Sequence, residues 1–417
     1  MKKILVWSGV AILVLAAAAW WMLRPQTITL SDGTKLSLVK VTYGTRHVSP
    51  DTASGGRARR AMFEGTNDFL VAWIRQVHKP DQWPNYQLYA YDKAGKACVS
   101  SSGMTYGNTR QRGREVVGIR FDAFPRRDGK IIFKLQEWNR QTGQLKVKDA
   151  FIISNPAHGP FPEWLPDPLP DTQSDGDLDV TLTKLVAGVK TPWQRGNSGP
   201  DDPINKGVQV AFDVQQNGRE ATNWQPVQVE TFDATGNRTL GYVNTSYQGG
   251  KPMTFYQYGL WPDEPAWRLR VEMSRTSGFT DDELWTVQNV PVESGTQQSL
   301  WNYNRNSRDN PPAFAETTLN GVHLKLFPVK QFTDQPPESA MQGGFRVETD
   351  RIPEGTQMTL VNATDDQGRS ISSWRMGWGG NFEAFALRDM SGVKSLNLTI
   401  ALHKSRFVEF TVKPAVE

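Results

Sequence analysis

Among the residue types that could do chemistry, the run Asp175-Gly176-Asp177-Leu178-Asp179 comes nearest to a known arrangement, because carboxylates at alternate positions open a calcium-binding loop. The resemblance stops there. Val180 stands at the sixth position, where the loop needs glycine for its sharp turn, and Val186 at the twelfth, where it needs a bidentate glutamate. A strand explains the run more simply: Leu178, Val180 and Leu182 face inward, which sends Asp177 and Asp179 out to water. Asp175, Asp177 and Asp179 are therefore weak candidates for a cation that would pin the neighbouring linker, and no metal or cofactor is expected. The five histidines (His47, His78, His158, His323, His403) are scattered, with no two at close-ligand spacing.

Nucleophile and phosphate motifs are missing from the sequence. There is no Gly-x-Ser-x-Gly elbow, no Gly-rich loop followed by Lys-Ser or Lys-Thr, and no His-Glu-x-x-His. Asp281-Asp282-Glu283 groups three acids after Gly278, where a solvated turn is expected. A glycosidase pair must flank a sugar at about 5 to 9 Å, which neighbours on one turn rarely do. Cys98, the only cysteine, sits in Ala97-Cys98-Val99 without basic or histidine neighbours and is expected to be a buried structural thiol.

Tryptophan is the remaining chemical signal. The chain has 15, of which Trp7, Trp20 and Trp21 belong to the apolar N-terminus. Indole faces stack on sugar rings and anchor protein interfaces. Trp83, Trp164, Trp193, Trp261 and Trp301 fall in polar or Pro-flanked stretches, and Trp374 and Trp378 share a Gly-rich segment. Trp374, Trp378, Trp261 and Trp83 are the candidate binding residues. Core filling and linker packing are the competing use of the same residues.

The elements that must position these residues recur three times. Alternating segments at residues 36–44 and 180–188 end in glycine, and a blunter version begins at Val322. Strand-like runs follow at residues 69–74, 208–214 and 345–347. Asp-x-x-Gly turns come next at Asp92/Gly95, Asp233/Gly236 and Asp365/Gly368, and two further β-rich runs close each copy. Six prolines between residues 155 and 177 interrupt any ladder and mark a boundary. The expected organisation is an N-terminal segment (1–26), a first domain (27–155), a Pro-rich linker (156–176), a second domain (177–293), a second linker (294–312) and a third domain (313–417). The fold expected is all-β, with tandem immunoglobulin-like or fibronectin-like β-sandwich domains behind one N-terminal transmembrane helix.

Residues 4–23 carry no charge, follow Lys2-Lys3 and precede Arg24. Twenty residues at 1.5 Å each span a hydrocarbon core of about 30 Å, and the two lysines favour a cytoplasmic N-terminus. A cleaved signal peptide is the alternative, with residues 16–19 supplying small side chains. Either way the rest of the chain is exported, and one cysteine fits export without disulfides. Net charge is +10 over residues 27–160, −9 over 161–300 and zero beyond. A basic first domain beside anionic headgroups gains up to about 1 kcal/mol per well-placed cation, and Arg57, Arg59 and Arg60 form a basic cluster there. The expected partners are the cell membrane through residues 4–23, anionic lipid at the first domain and a protein or glycan, with nucleic acid excluded by export. A non-enzymatic binding or scaffolding role on the extracytoplasmic side is expected. Carbohydrate binding or processing through Trp-rich surfaces is the alternative.

Overall fold

The computed structural model describes residues 27–50, 62–77, 86–97, 104–105, 114–138, 145–157, 159–189, 207–242, 253–297, 300, 312–336, 339–350, 352–379 and 382–417. Residues 4–23, Cys98 and the Arg57–Arg60 cluster lie outside these. Among the described residues no helix is long and apolar enough to cross a membrane. The described chain is nearly all β, arranged in several sheets.

In chain order, the first unit contains β1 (Thr27–Thr29), β2 (Lys35–Val48), β3 (Met62–Val77), β4 (Tyr86–Tyr91), β5 (Met104–Thr105), β6 (Arg114–Phe121), β7 (Lys130–Trp138) and β8 (Leu145–Ser154). Then come β9 (Asp171–Asp175), β10 (Leu178–Val189), β11 (Gly207–Gln216), β12 (Arg219–Glu220), β13 (Trp224–Asp233), β14 (Arg238–Tyr242), β15 (Met253–Gln257), β16 (Trp267–Arg275) and β17 (Leu284–Gly295). The remainder is β18 (Ala315–Leu319), β19 (Val322–Leu326), β20 (Val329–Phe332), β21 (Gly343–Thr349), β22 (Thr356–Asp365), β23 (Ser373–Gly379), β24 (Phe382–Leu387), β25 (Ser395–Lys404), β26 (Arg406–Val412) and β27 (Ala415–Val416). Leu178, Val180 and Leu182 are buried in alternation as their spacing predicts; a bulge between Leu182 and Lys184 then re-phases the strand so that Leu185 and Ala187 also face the core. The same bulge occurs between Leu38 and Lys40 in β2.

The threefold recurrence is structural. Each copy opens with an antiparallel hairpin: β1–β2, β9–β10, β18–β19. Each second hairpin strand then pairs with the next long strand, in β2–β3, β10–β11 and β19–β21. Asp92, Asp233 and Asp365 make one kind of turn. Their carboxylates are buried and accept backbone N–H groups: Lys96 at 2.7 Å, Thr235 and Asn237 at 2.9 and 3.1 Å, Gln367 and Arg369 at 2.9 and 2.8 Å. In each, the glycine three residues on donates to the aspartate carbonyl and holds positive φ, a conformation costly for any side chain with a Cβ.

The first and second units each enclose an apolar core between two sheets, whereas the strands of the third join in one nine-stranded sheet around its core. Leu36, Leu70, Ile74 and Ile119 from the β1-β2-β3-β6-β5 sheet meet Leu88, Phe133, Leu135 and Phe151 from β4-β7-β8. The last strands, however, do not stay in their own copies. In the first unit β8 pairs with the preceding β7. The strand following β16 is β17, and it pairs instead with β25 of the third unit, then runs parallel to β20. The strand following β25 is β26, and it returns to pair with β16, after which β27 runs parallel to β10. The second and third units thus exchange terminal strands. Val408, Phe410 and Val412 sit in the core of the second unit, and Val287 and Val290 in that of the third. Arg406 enters the second unit beside Asp177 and lies over the Trp224 ring at 4.9 Å.

The exchange makes a specific demand on fragments. A chain of residues 159–293 lacks β26 and leaves the ladder edge of β16 and the space of Phe410 empty, whereas residues 159–417 contain both partners. The short fragment should fail to show a cooperative urea transition and the long one should show it. In the full chain Phe410→Ala should cost about 3 to 5 kcal/mol. A cooperatively folded 159–293 fragment would show that the exchanged strand is dispensable.

Candidate functional site

The first and second units are joined by a buried cation. Arg126, in the turn after β6, is 5% exposed and reaches into the Asp233 turn of the second unit. Its Nε donates to Asn237 Oδ1 at 2.9 Å, Nη1 to the Thr235 carbonyl at 3.2 Å and to the Tyr43 hydroxyl at 3.1 Å, and Nη2 to the Asp68 carbonyl at 2.8 Å. Burial pushes its pKa below the usual arginine value, and the acceptor set retains the charge. Asn237 can serve because Asp233 orients it: its amide donates to Asp233 Oδ2 at 2.8 Å, which leaves Oδ1 for Arg126 and for the Phe124 N–H at 3.1 Å. Around this centre Arg127 donates to both oxygens of Glu264, at 2.9 and 3.0 Å. The Trp261 indole N–H donates to the Lys96 carbonyl at 3.2 Å. Lys96 also pairs with exposed Asp263 at 3.1 Å, a contact worth about 0 to 1 kcal/mol.

Beside this junction lies a cleft of about 790 Å³, lined by Thr45, Thr66, Asn67, Asp68, Arg126, Trp164, Phe232, Asp233, Ala234, Gly236, Arg268, Arg270 and Glu409. That size suits a small molecule or short oligomer. One wall is an interruption of the β2–β3 ladder. Pairing jumps from Gly44–Phe69 to Arg46–Glu64, so residues 65–68 leave the ladder and present Thr66, Asn67 and Asp68 to the cleft. Gly65 permits the excursion, because a Cβ there would fall 2.8 Å from the Phe69 ring. The opposite wall is the outer face of the β14-β13-β16-β26 sheet. Trp267 and Leu269 fill the core, so Arg268 and Arg270 point outward between Phe232 and Glu230 on β13 and Thr411 and Glu409 on β26. The connector between β8 and β9 supplies Trp164. It is held along β26 by an Asp167 N–H to Thr411 carbonyl bond of 2.7 Å, and the Trp164 ring lies 4.6 Å from the Arg268 guanidinium.

Most charges in the cleft are already engaged. The carboxylate of Asp233 is taken up by its turn. Arg126 spends four of its five N–H donors on the bonds described above. Arg270 pairs with Glu354 at 2.7 Å and Glu409 at 4.0 Å, over the Phe407 ring at 4.2 Å. Asp68 faces the Tyr43 hydroxyl, whose pKa is raised chiefly by burial and further by that carboxylate. Arg268 is exposed, and among the described residues no carboxylate lies within ion-pair distance of it.

The residues singled out from sequence fall elsewhere. Trp261 is buried in the core of the second unit and serves the junction through its N–H. Trp374, on β23 of the third unit, is 37% exposed and stands apart from the cleft. Trp378 shares that strand, but its side chain lies outside the described residues, as does the whole of Trp83. The carboxylate of Asp177 accepts Arg406, Gln216 and Asn217, and the bonds from Arg406 and Gln216 lower its pKa to about 2. Asp179 accepts the Ser174 hydroxyl at 2.6 Å, and the Asp175 carbonyl accepts Arg406 at 2.9 Å. This run therefore fastens the exchanged strand. Among the described residues no group of three metal-ligating side chains forms. The acids at Asp281–Glu283 make a single 3-10 turn, with Glu283 bound to Arg275. Of the cleft lining, the sequence had singled out Trp164 among the prolines and the Asp233/Gly236 turn; Thr45, Asn67 and Arg268 carried no signal.

Arg126→Ala should lower the unfolding free energy of the full chain by about 3 kcal/mol, because it strands several buried acceptors. Lys96→Ala should cost less than about 1 kcal/mol. Urea titrations of the two variants decide this, and equal losses would remove Arg126 as the latch between the units. No family model, curated protein or solved structure matches the chain.

Proposed function

We propose that the protein is a membrane-anchored, exported chain of immunoglobulin-like or fibronectin-like β-sandwich units with a non-enzymatic binding role, and that it holds its ligand in the cleft between the first and second units. The observation that carries this reading is the pairing of Trp164 with Arg268 above a wall of Thr45, Thr66 and Asn67: an aromatic face, an uncompensated cation and neutral hydrogen-bonding groups turned into one space. Binding is favoured over chemistry because Asp233 is committed to its turn and Glu409 lies beside Arg270, so neither stands as a free acid or base. The anchored address rests on the uncharged run of residues 4–23 behind Lys2-Lys3.

The full-length chain in detergent, immobilised and passed over an extract of the cells that make it, should retain a ligand that a Trp164→Ala/Arg268→Ala variant releases. Equal retention by both would move the binding site away from the cleft.

A carbohydrate is the ligand class best supported, since Trp164 and Phe232 offer ring faces while the opposite wall offers hydroxyl and amide groups. Anionic lipid is a second partner, proposed for the basic first unit on the strength of its net charge of +10. Reversing Arg57, Arg59 and Arg60 to Glu should reduce the anionic lipid that co-purifies with the solubilised full chain, and added salt should do the same. Unchanged lipid in both measurements would eliminate that partner.

A further inference from the structure

Arg268 and Arg270 are alternate residues on one strand, both directed outward, yet their surroundings differ in kind. Arg270 is paired with Glu409 across the sheet at 4.0 Å and with Glu354 at 2.7 Å, while Glu230, its neighbour on β13, is taken up by Arg238. The row through Arg268 reads Phe232, Arg268, Thr411 and contains no acid. Directly opposed strand residues sit close enough to compensate one another, so the first row is neutralised and the second keeps a full positive charge. Trp164, packed 4.6 Å away, holds the Arg268 guanidinium by its face and leaves its N–H edges for a ligand.

A guanidinium held in this way matches a planar oxyanion that can accept two parallel hydrogen bonds. The rest of the cleft adds two requirements. Phe232 and Trp164 call for a partner with an apolar face, and Thr45, Thr66 and Asn67 call for groups that both donate and accept. A peptide fits poorly. β16, which carries Arg268, already has β13 on one side and β26 on the other, so its backbone cannot take a peptide as an added strand. A sugar ring carrying a carboxylate meets all three requirements, with hydroxyls for the threonines and asparagine, C–H faces for the aromatics and an oxyanion for Arg268.

Building on the cleft as the binding site, we infer that its ligand is an acidic saccharide of the uronate type, with the carboxylate on Arg268 and a ring face against Trp164. The site belongs jointly to the first unit, the connector, the second unit and the exchanged strand β26, which contributes Glu409. Glu409 restricts the anion to the Arg268 end, because its own carboxylate repels a second negative charge near Arg270.

The test uses the full-length chain in detergent and calorimetric titration with three sets of short oligosaccharides matched in length: uronate-containing, sulfated and neutral. The uronate set should bind, and Arg268→Gln should weaken it about 10- to 100-fold, corresponding to the loss of a charge-assisted hydrogen bond. Arg268→Gln should leave the thermal transition unchanged, since the side chain is exposed. Trp164→Ala should weaken the same ligand, and Glu409→Gln should strengthen it. If neutral oligosaccharides bind as well as uronates and only Trp164→Ala disrupts them, the cleft stands as a binding site but the acidic class is wrong. Preference for the sulfated set, lost in Arg268→Gln, would replace the carboxylate by a sulfate ester and overturn the uronate assignment. If none of the three sets binds, the saccharide reading of the cleft falls with it.

Discussion

A carboxylate buried at the end of β13 is the constraint from which much of the molecule follows. Asp233 is 2% exposed, and a charge at that depth persists only if donors surround it. The chain supplies them locally by turning back, so that Thr235 and Asn237 present their N–H groups and Asn237 its amide. Orientation of Asn237 then exposes one carbonyl oxygen in a fixed direction, and Arg126 is bound there. Since Arg126 also grips Tyr43 and the Asp68 carbonyl, the turn of the second unit sets the position of the first. The cleft is the space left beside this contact. Its two walls keep their separation because a hydrogen-bonded guanidinium has few alternative geometries.

The exchange of β17 and β26 works on a larger scale. A sheet edge left open would invite pairing with other chains, and here the neighbouring unit of the same chain covers it. The second unit cannot complete its core without Val408, Phe410 and Val412 from beyond the third, and the third needs Val287 and Val290 from before it. The cleft inherits this dependence: Glu409 arrives on the exchanged strand, and Glu354, which engages Arg270, comes from just before β22. Anything that separates the second and third units would therefore alter the charge beside Arg268. The Asp177 carboxylate, first suggestive of a cation site, is part of the same mechanical system, because its cation is Arg406 at the start of β26.

Tryptophans divide along physical lines. Trp73, Trp224, Trp261 and Trp267 are core residues, and the indole N–H of Trp261 and that of Trp267 each find a carbonyl. Trp164 differs because its connector cannot join a ladder through its prolines and is held at the surface of β26 instead. That keeps the ring half-buried over Arg268, available to a ligand on its free side.

Sequence alone was sufficient for the periodic and local features. Alternation at Leu178, Val180 and Leu182, the Asp-x-x-Gly turns at Asp92, Asp233 and Asp365, and their threefold order are short-range properties, written within a few residues and reproduced in the strands and turns. The hydrophobic run at residues 4–23 and the charge imbalance between thirds of the chain are likewise linear facts. Tertiary structure decided what needs distant partners. Arg268 and Arg270 are indistinguishable in Trp267-Arg268-Leu269-Arg270-Val271, and only their cross-strand neighbours, up to about 140 positions away along the chain, make one neutralised and the other not. The destination of β17 and β26 was equally hidden, since either strand has the pattern to complete the unit that precedes it. Which edge it joins depends on the packing of whole sheets, an interaction that no local pattern encodes.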